Sequence, residues 1–372
     1  MRIAVGKPVV VRAPYEVSTD AIEADWLARW PLEEQPPQRR RRLATGLRMV
    51  RSTGVVSRPW VAPLDVVGDA GRGAREVYAE AFAAVVDMAA AAAGGALEAA
   101  GLEPGDVDCV VTTHTTSWTV PGLDVALVNR LGLRRDVSRV PASTLACAGG
   151  AHSLVQAVRY LAHRPDGVVL VVAGEALSIL HTPWREPTRT SVLYGALFGD
   201  SAAATVVVGA DPAHQADADR LVAAGGGLVA EVDTWEWQQY GESPYWGELL
   251  PPGAPDAGRI VFESNRDAAK AARETVPQLV KWLDGRRVEW AMVHPGGPSI
   301  ITDTVDALGL PPEAGRHSAA SLAGGNLGGA AVLDVLRRTL GNGPVRGPGV
   351  LVGYGPGFVA GAVSLDVLDS PA

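Results

Sequence analysis

A chain of 372 residues, 47% hydrophobic and 20% charged, is composed like a soluble enzyme and is long enough for two domain-sized halves. Its net charge of −8 argues against bulk nucleic-acid binding, and its two cysteines cannot build a disulfide framework, which suits a reducing cytoplasm. No apolar run free of charges and glycines reaches membrane-spanning length, so membrane insertion is not expected.

The chain opens M-R-I-A-V-G-K-P-V-V-V-R, a first strand without the long apolar core and cleavage site of a signal peptide. A basic run follows at residues 39–51, which reads in the first instance as a solvated helix face. Residues 74–100 spell a long, buried, Ala-rich helix, and D-C-V-V-T-T (108–113) a strand in which Cys109 is a small buried apolar residue. Residues 140–161 read as a short strand, a tight turn carrying Cys147, and an apolar helix opened by small residues. A thiol at a helix N-terminus faces unpaired N–H groups and the positive end of the macrodipole, which favour the thiolate. Ala148, Gly149 and Gly150 would admit a substrate carbonyl at close range. Buried strands are predicted at 167–174 and after Gly199. Residues 211–255, rich in Trp, Gly and Pro, read as hairpins and loops wrapping the outside.

The second half repeats the scheme. A helix over 265–283 leads to a strand ending in His294, with H-P-G-G-P turning into a helix from Pro298. Catalytic groups of open α/β layers collect at such strand edges. Asn326 opens another small-residue helix, where it also reads as a plain N-cap, and two strands close the chain. The closing segments F-G-D-S-A-A-A-T-V-V-V and Y-G-P-G-F-V-A-G-A-V are weak copies of one another, so a duplication is expected, with halves at 1–210 and 211–372. Strands alternating with long helices predict stacked α/β layers.

These blocks carry a family resemblance. The Cys147 turn, A-L-F-G-D-S-A-A-A (196–204), H-P-G-G-P (294–298), G-N-L-G-G-A (325–330) and G-Y-G-P-G-F (353–358) resemble, in order and spacing from about Arg48 onward, the type III polyketide synthases of the chalcone synthase type. The His-Gln-Ala-Asn block typical of ketoacyl synthases of the KAS III branch is absent. The resemblance implies a five-layered αβαβα thiolase-like fold built from two duplicated halves. It implies Cys147 as nucleophile, His294 as its proton partner, and His294 with Asn326 as the oxyanion hole for the enolate left when malonyl-CoA loses CO2. As an imidazolium, His294 would stabilise the resting thiolate.

It further implies substrate contacts at Phe198 and Phe262, the gatekeepers between coenzyme tunnel and cavity, and at Leu180, whose bulk would narrow the pocket. Gly353, Gly355, Pro356 and Gly357 match the cyclisation loop, and Arg48 and Arg51 match or adjoin phosphate contacts of coenzyme A. Thr115 heads the segment 115–124, which in the family lies at a homodimer interface and here carries Trp118 and Val120. His114 is a further candidate near the cavity, the other histidines, His214 among them, have no partner pattern, and Trp235 to Tyr240 either line an opening or pack as a hairpin. Ala146, Ser201 and Gly328 depart from the plant pattern without removing the chemistry. Acyl-CoA and malonyl-CoA are the implied partners, as substrates, with no metal or other cofactor. The chain has no P-loop, no Gly-x-Gly-x-x-Gly after its first strand, no clustered ligand spacing and no Gly-x-Ser-x-Gly elbow. Two other readings stay open: a ketosynthase or acyltransferase that acts once on the same fold, and a non-catalytic partner of a condensing enzyme. Retention of all three catalytic residues ranks the last of these lowest.

Overall fold

The computed structural model describes residues 1–368 apart from 118, 211, 212, 214, 240, 255 and 344, so Trp118, His214 and Tyr240 lie outside the described residues. Fourteen strands are described: β1 (Arg2–Val5), β2 (Val9–Arg12), β3 (Tyr15–Ser18), β4 (Ser57–Trp60), β5 (Cys109–Thr113), β6 (Ser138–Pro141), β7 (Val168–Glu175), β8 (Ser201–Gly209), β9 (Leu228–Gln238), β10 (Tyr245–Leu249), β11 (Ile260–Ser264), β12 (Trp290–Val293), β13 (Gly347–Gly355) and β14 (Val359–Val367). Ten of them form one sheet in the order β6-β5-β7-β8-β1-β9-β14-β13-β12, with β2 also on β8; β3–β4 and β10–β11 are separate two-stranded antiparallel sheets.

Strand direction carries the duplication. In the first half β5 and β7 are parallel, while β7–β8 and β8–β1 are antiparallel. In the second, β12 and β13 are parallel, while β13–β14 and β14–β9 are antiparallel. The copies meet where β1 runs antiparallel to β9, with Ile3 opposite Ala230 and Val5 opposite Leu228. Only β6, parallel to β5, lacks a described counterpart beside β12.

The layers follow from side-chain alternation along these strands. Val169, Val171 and Ala173 of β7 pack inward with the helices Gly149–His163 and Ala331–Gly341, and Leu351 and Val363 meet the same core from the other half. Leu170 and Val172 point the opposite way, onto the helix Ala74–Ala100. Val350 and Val352 likewise face outward, onto the helix Ala268–Leu283. The order is helix, sheet, paired central helices, sheet, helix. Ala74–Ala100 is long and apolar enough to cross a membrane by length and composition. Here it packs against β7 and β8 and ends in a left-handed Gly101, whose N–H reaches Glu98 O while Leu102 N–H reaches Leu97 O.

The wrapping segment expected at 211–255 is only partly that. Gln215–Gly225 is helical, and β9 sits inside the sheet with Ala230 and Val232 buried. Its L-V-A-E-V-D alternation is a half-buried strand pattern that the surrounding Trp, Gly and Pro content obscures. β10, in contrast, does form an outlying hairpin with β11. The glycines after Cys147 also serve another purpose than the one expected. A Cβ on Gly149 would lie 2.1 Å from Thr113 Oγ1, and one on Gly150 would lie 2.2 Å from Gly329 O. They let the two central helices and β5 close on each other, so the space is filled by protein rather than by substrate.

Candidate active site

Cys147 sits in a single 3-10 turn, Ala146–Ala148, that feeds the helix Gly149–His163. The turn before it is strained: Thr144 and Ala146 adopt φ of 64° and 45°, a region unfavourable to residues bearing a Cβ. Ala146 N–H donates to Thr115 Oγ1 at 3.0 Å. From the second half, Gly355 presses on the turn; a Cβ there would lie 2.8 Å from Ala148 N.

Asn326 is fixed on three sides. Its N–H donates to Leu197 O and its carbonyl accepts from Gly199 N–H, tying it to Phe198 as a parallel bridge. Its Oδ1 accepts from Gly328 N–H at 3.0 Å, which leaves Nδ2 aimed at Cys147 Sγ, 3.8 Å away. The capping and donor readings of this residue are therefore compatible, one oxygen serving the turn and the nitrogen facing the thiol. His294 follows β12, its N–H held by Val352 O. The ring is 1% exposed, and neither nitrogen has a partner among the described residues. A Cβ on Gly296 would crowd that ring at 3.1 Å from Cδ2.

All three side chains line one cavity of about 190 Å³. Six aromatic side chains share its wall: Phe198, Phe262, Tyr194, Tyr245, Tyr354 and Phe358. Tyr194 meets Phe262 edge-on at 4.8 Å between centroids, and Phe198 meets Phe262 at 6.1 Å. The tyrosine hydroxyls are tied into the wall, Tyr194 to Ser264 Oγ, Tyr245 to Ala268 O and Tyr354 to Thr304 Oγ1. The cavity thus offers apolar surface around three convergent polar groups, the composition of a small-molecule site.

Charge is disfavoured in it. Burial, with the carboxyl of Glu175 nearby, pushes the Cys147 thiol up to about 12, and burial pulls His294 down to about 3. The helix N-terminus does not override this. A macrodipole is worth at most about 2 kcal/mol, whereas desolvation moves buried groups by up to several pH units. Burial thus works against the thiolate and imidazolium expected from sequence.

Of the other residues singled out, Phe198, Phe262, Gly355 and Pro356 line the cavity. Thr115, His114, Leu180, Gly353, Gly357, Arg48 and Arg51 are not part of its lining. Thr115 accepts from the Ala146 N–H in the turn that carries Cys147, and His114 bonds Gly174 O and Ser117 Oγ. Leu180 packs between the outer-helix core of the first half and the core of the second. Gly353 abuts Ala151, where a Cβ would lie 2.7 Å from its methyl, and Gly357 has φ 138°. Arg48 is exposed and bonds Thr45 Oγ1, while Arg51 pairs with Asp20 and Glu23. The helix bearing both, Pro37–Ser52, still leads to the site, because Thr53 at its end lines the cavity. Trp235 and Trp237 stack on each other and Trp235 on Trp282, away from the cavity.

Sequence reasoning missed Tyr194, Tyr245 and Glu175. Tyr194 was within reach, since it stands one helical turn before Phe198. Glu175 ends a wholly apolar strand and carries no motif. Among the described residues no group of three or more His, Cys, Asp or Glu side chains could hold a metal ion.

Residues 72–212 match the family model for the N-terminal domain of chalcone and stilbene synthases. The chain is 35% identical over 326 residues to 1,3,6,8-tetrahydroxynaphthalene synthase of Streptomyces peucetius subsp. caesius, which covers 86% of this chain and 82% of that one. It superimposes on germicidin synthase of Streptomyces coelicolor, a type III polyketide synthase, with a TM-score of 0.86 and 30% identity over 99% of this chain and 100% of that one. A β-ketoacyl-[acyl-carrier-protein] synthase III of Streptomyces lividans is 31% identical over 298 residues, 77% of this chain and 81% of its own. Layering, duplicated strand order and these relatives define a thiolase-fold acyltransferase. Within that class, the chain belongs to the type III polyketide synthases.

Proposed function

We propose that the protein loads an acyl group from acyl-CoA onto Cys147, extends it repeatedly with malonyl-CoA, and releases a small cyclised pyrone or phenol. The observation that carries this reading is the convergence of Cys147, His294 and Asn326 on one apolar cavity, with the Asn326 amide turned to the sulfur.

As the acyl carbonyl arrives, a ring nitrogen of His294 takes the thiol proton and Cys147 Sγ attacks, forming the new thioester while coenzyme A leaves as a thiol. The transfer passes through the charge pair that burial disfavours. Malonyl-CoA then loses CO2, and the enolate oxygen accepts hydrogen bonds from the His294 N–H and from Asn326 Nδ2. The enolate carbon attacks the acyl carbonyl and the Cys147 thiolate departs. Coenzyme A thioesters are the only cosubstrates this sequence of steps uses.

Phe198 and Phe262 serve as the wall between entrance and cavity, and Gly355 and Pro356 shape the floor where the product closes. Arg48 contacts a phosphate of coenzyme A; its bond to Thr45 uses one guanidinium nitrogen and leaves the others to meet the phosphate. Arg51 would first have to exchange Asp20 and Glu23. A cytoplasmic homodimer with halves at 1–210 and 211–372 completes the proposal, and the fully exposed Val120 side chain supports an interface on segment 115–124. The similarity to a synthase III favours one alternative, a single condensation without iteration. Mass spectrometry of products from malonyl-CoA with short, long and aromatic acyl-CoAs separates the two. Lactones or phenols of three or more units, absent with Cys147→Ala, support iteration. Products stopping at one extension support the alternative.

A further inference from the structure

We propose that Thr115 is a positioning residue for Cys147, its hydroxyl latching Ala146 in the left-handed conformation that aims the thiol, with Glu175 holding Thr115 from below. The proposal rests on Cys147 being the nucleophile. Ala146 immediately precedes it at φ 45°, where an alanine pays a steric penalty that glycine does not. Something must hold it there, and the Ala146 N–H donates to Thr115 Oγ1 at 3.0 Å.

Thr115 is itself anchored. Its N–H bonds Glu175 Oε2 at 3.1 Å, and Thr116 Oγ1 donates to the same oxygen at 3.3 Å. Thr116 Oγ1 in turn accepts from Ala176 N–H, one residue beyond Glu175. Glu175 is fully buried, so this anchor cannot swing into solvent. The chain of bonds runs from the end of β7 through Thr115 to the peptide preceding the nucleophile. On the other side Gly355 closes against Leu145 O and Ala148 N, so the turn is gripped from both halves. If Ala146 relaxed to negative φ, the Cys147 side chain would rotate away from Asn326 Nδ2. Thr115 acts through the backbone and is not part of the cavity lining.

The test is a cycle of Thr115→Val and Ala146→Gly, read by two rates: alkylation of Cys147 by iodoacetamide, located by peptide mapping, and single-turnover acylation by an acyl-CoA. Valine keeps the shape of threonine and removes the hydroxyl. With alanine at 146, T115V should slow both rates about tenfold while KM changes less than about twofold, as expected for one lost hydrogen bond. With A146G, T115V should cost less than about twofold, because glycine holds the conformation unaided. T115S, which keeps the hydroxyl, should stay within about twofold of the parent. Equal losses in both backgrounds, or T115S as slow as T115V, would overturn the latch. Should T115V fail to fold, the latch requires that A146G restore folding of the double variant, and no rescue also overturns it. Failure of the polyketide reading shows up separately, as an intact alkylation cycle in a protein that no acyl-CoA acylates.

Discussion

Burial works against the charged forms of both Cys147 and His294, and this bears on their pH behaviour. With the thiol pushed up to about 12, iodoacetamide should react slowly at pH 7, and its rate should climb steadily into the alkaline range. A plateau already reached near pH 7 would mean a resting thiolate and would contradict the structure. His294 acts on stability with a defined sign. Its folded pKa of about 3 lies below the value of about 6.5 it recovers on unfolding, so between those limits the unfolded chain binds a proton that the native chain does not. Stability should therefore fall as pH drops from about 6.5 towards 3, and His294→Gln should flatten that slope by up to about 1.4 kcal/mol per pH unit in urea titrations. Removing the Asn326 donor as Asn326→Asp should cost about 10²- to 10³-fold in malonyl-CoA decarboxylation, measured as CO2 release. The three residues were legible because each stands in a short Gly/Pro or small-residue turn. The opposing effect of burial on their charge was not, because it depends on remote segments and on Glu175, which no local pattern marks.

Among the elements, the paired central helices bind the two halves. Gly150 and Gly329 occupy related places, just after Cys147 and Asn326, and allow backbone to approach backbone. Gly150→Ala should force the helices apart, destabilising the protein by about 3 kcal/mol in denaturant unfolding and moving Asn326 from Cys147. A fully active, equally stable G150A would show that the contact is dispensable. Helices and strands with clean periodicity, such as Ala74–Ala100 and β7, were legible from sequence. β9 was not, because the Trp, Gly and Pro content of 211–255 outweighed its alternation. The close packing of Gly149 and Gly150 was also hidden, since sequence shows that a residue is small but not which neighbour fills the space.

For the whole molecule, the strand order makes the cavity a joint product of both halves: Cys147 and Phe198 come from one, His294, Asn326 and Phe262 from the other. Its size should then limit the chain it accepts. Tyr194→Leu opens the aromatic wall and should shift product masses towards longer acyl starters, whereas Tyr194→Phe, which loses only the bond to Ser264, should leave the masses unchanged. The resemblance in sequence reached the fold and the reacting groups. Of the wall it reached Phe198, Phe262, Gly355 and Pro356 but not Tyr194 or Tyr245, and Leu180 stands outside the lining. The central claim is that Cys147 carries the acyl chain to a decarboxylative condensation. It is tested most directly by peptide mapping after incubation with acyl-CoA, before and after adding malonyl-CoA. The acyl mass should appear on the Cys147 peptide and disappear, with CO2 release, when malonyl-CoA is added. An acyl mass on another residue, or one that malonyl-CoA leaves in place, would contradict it.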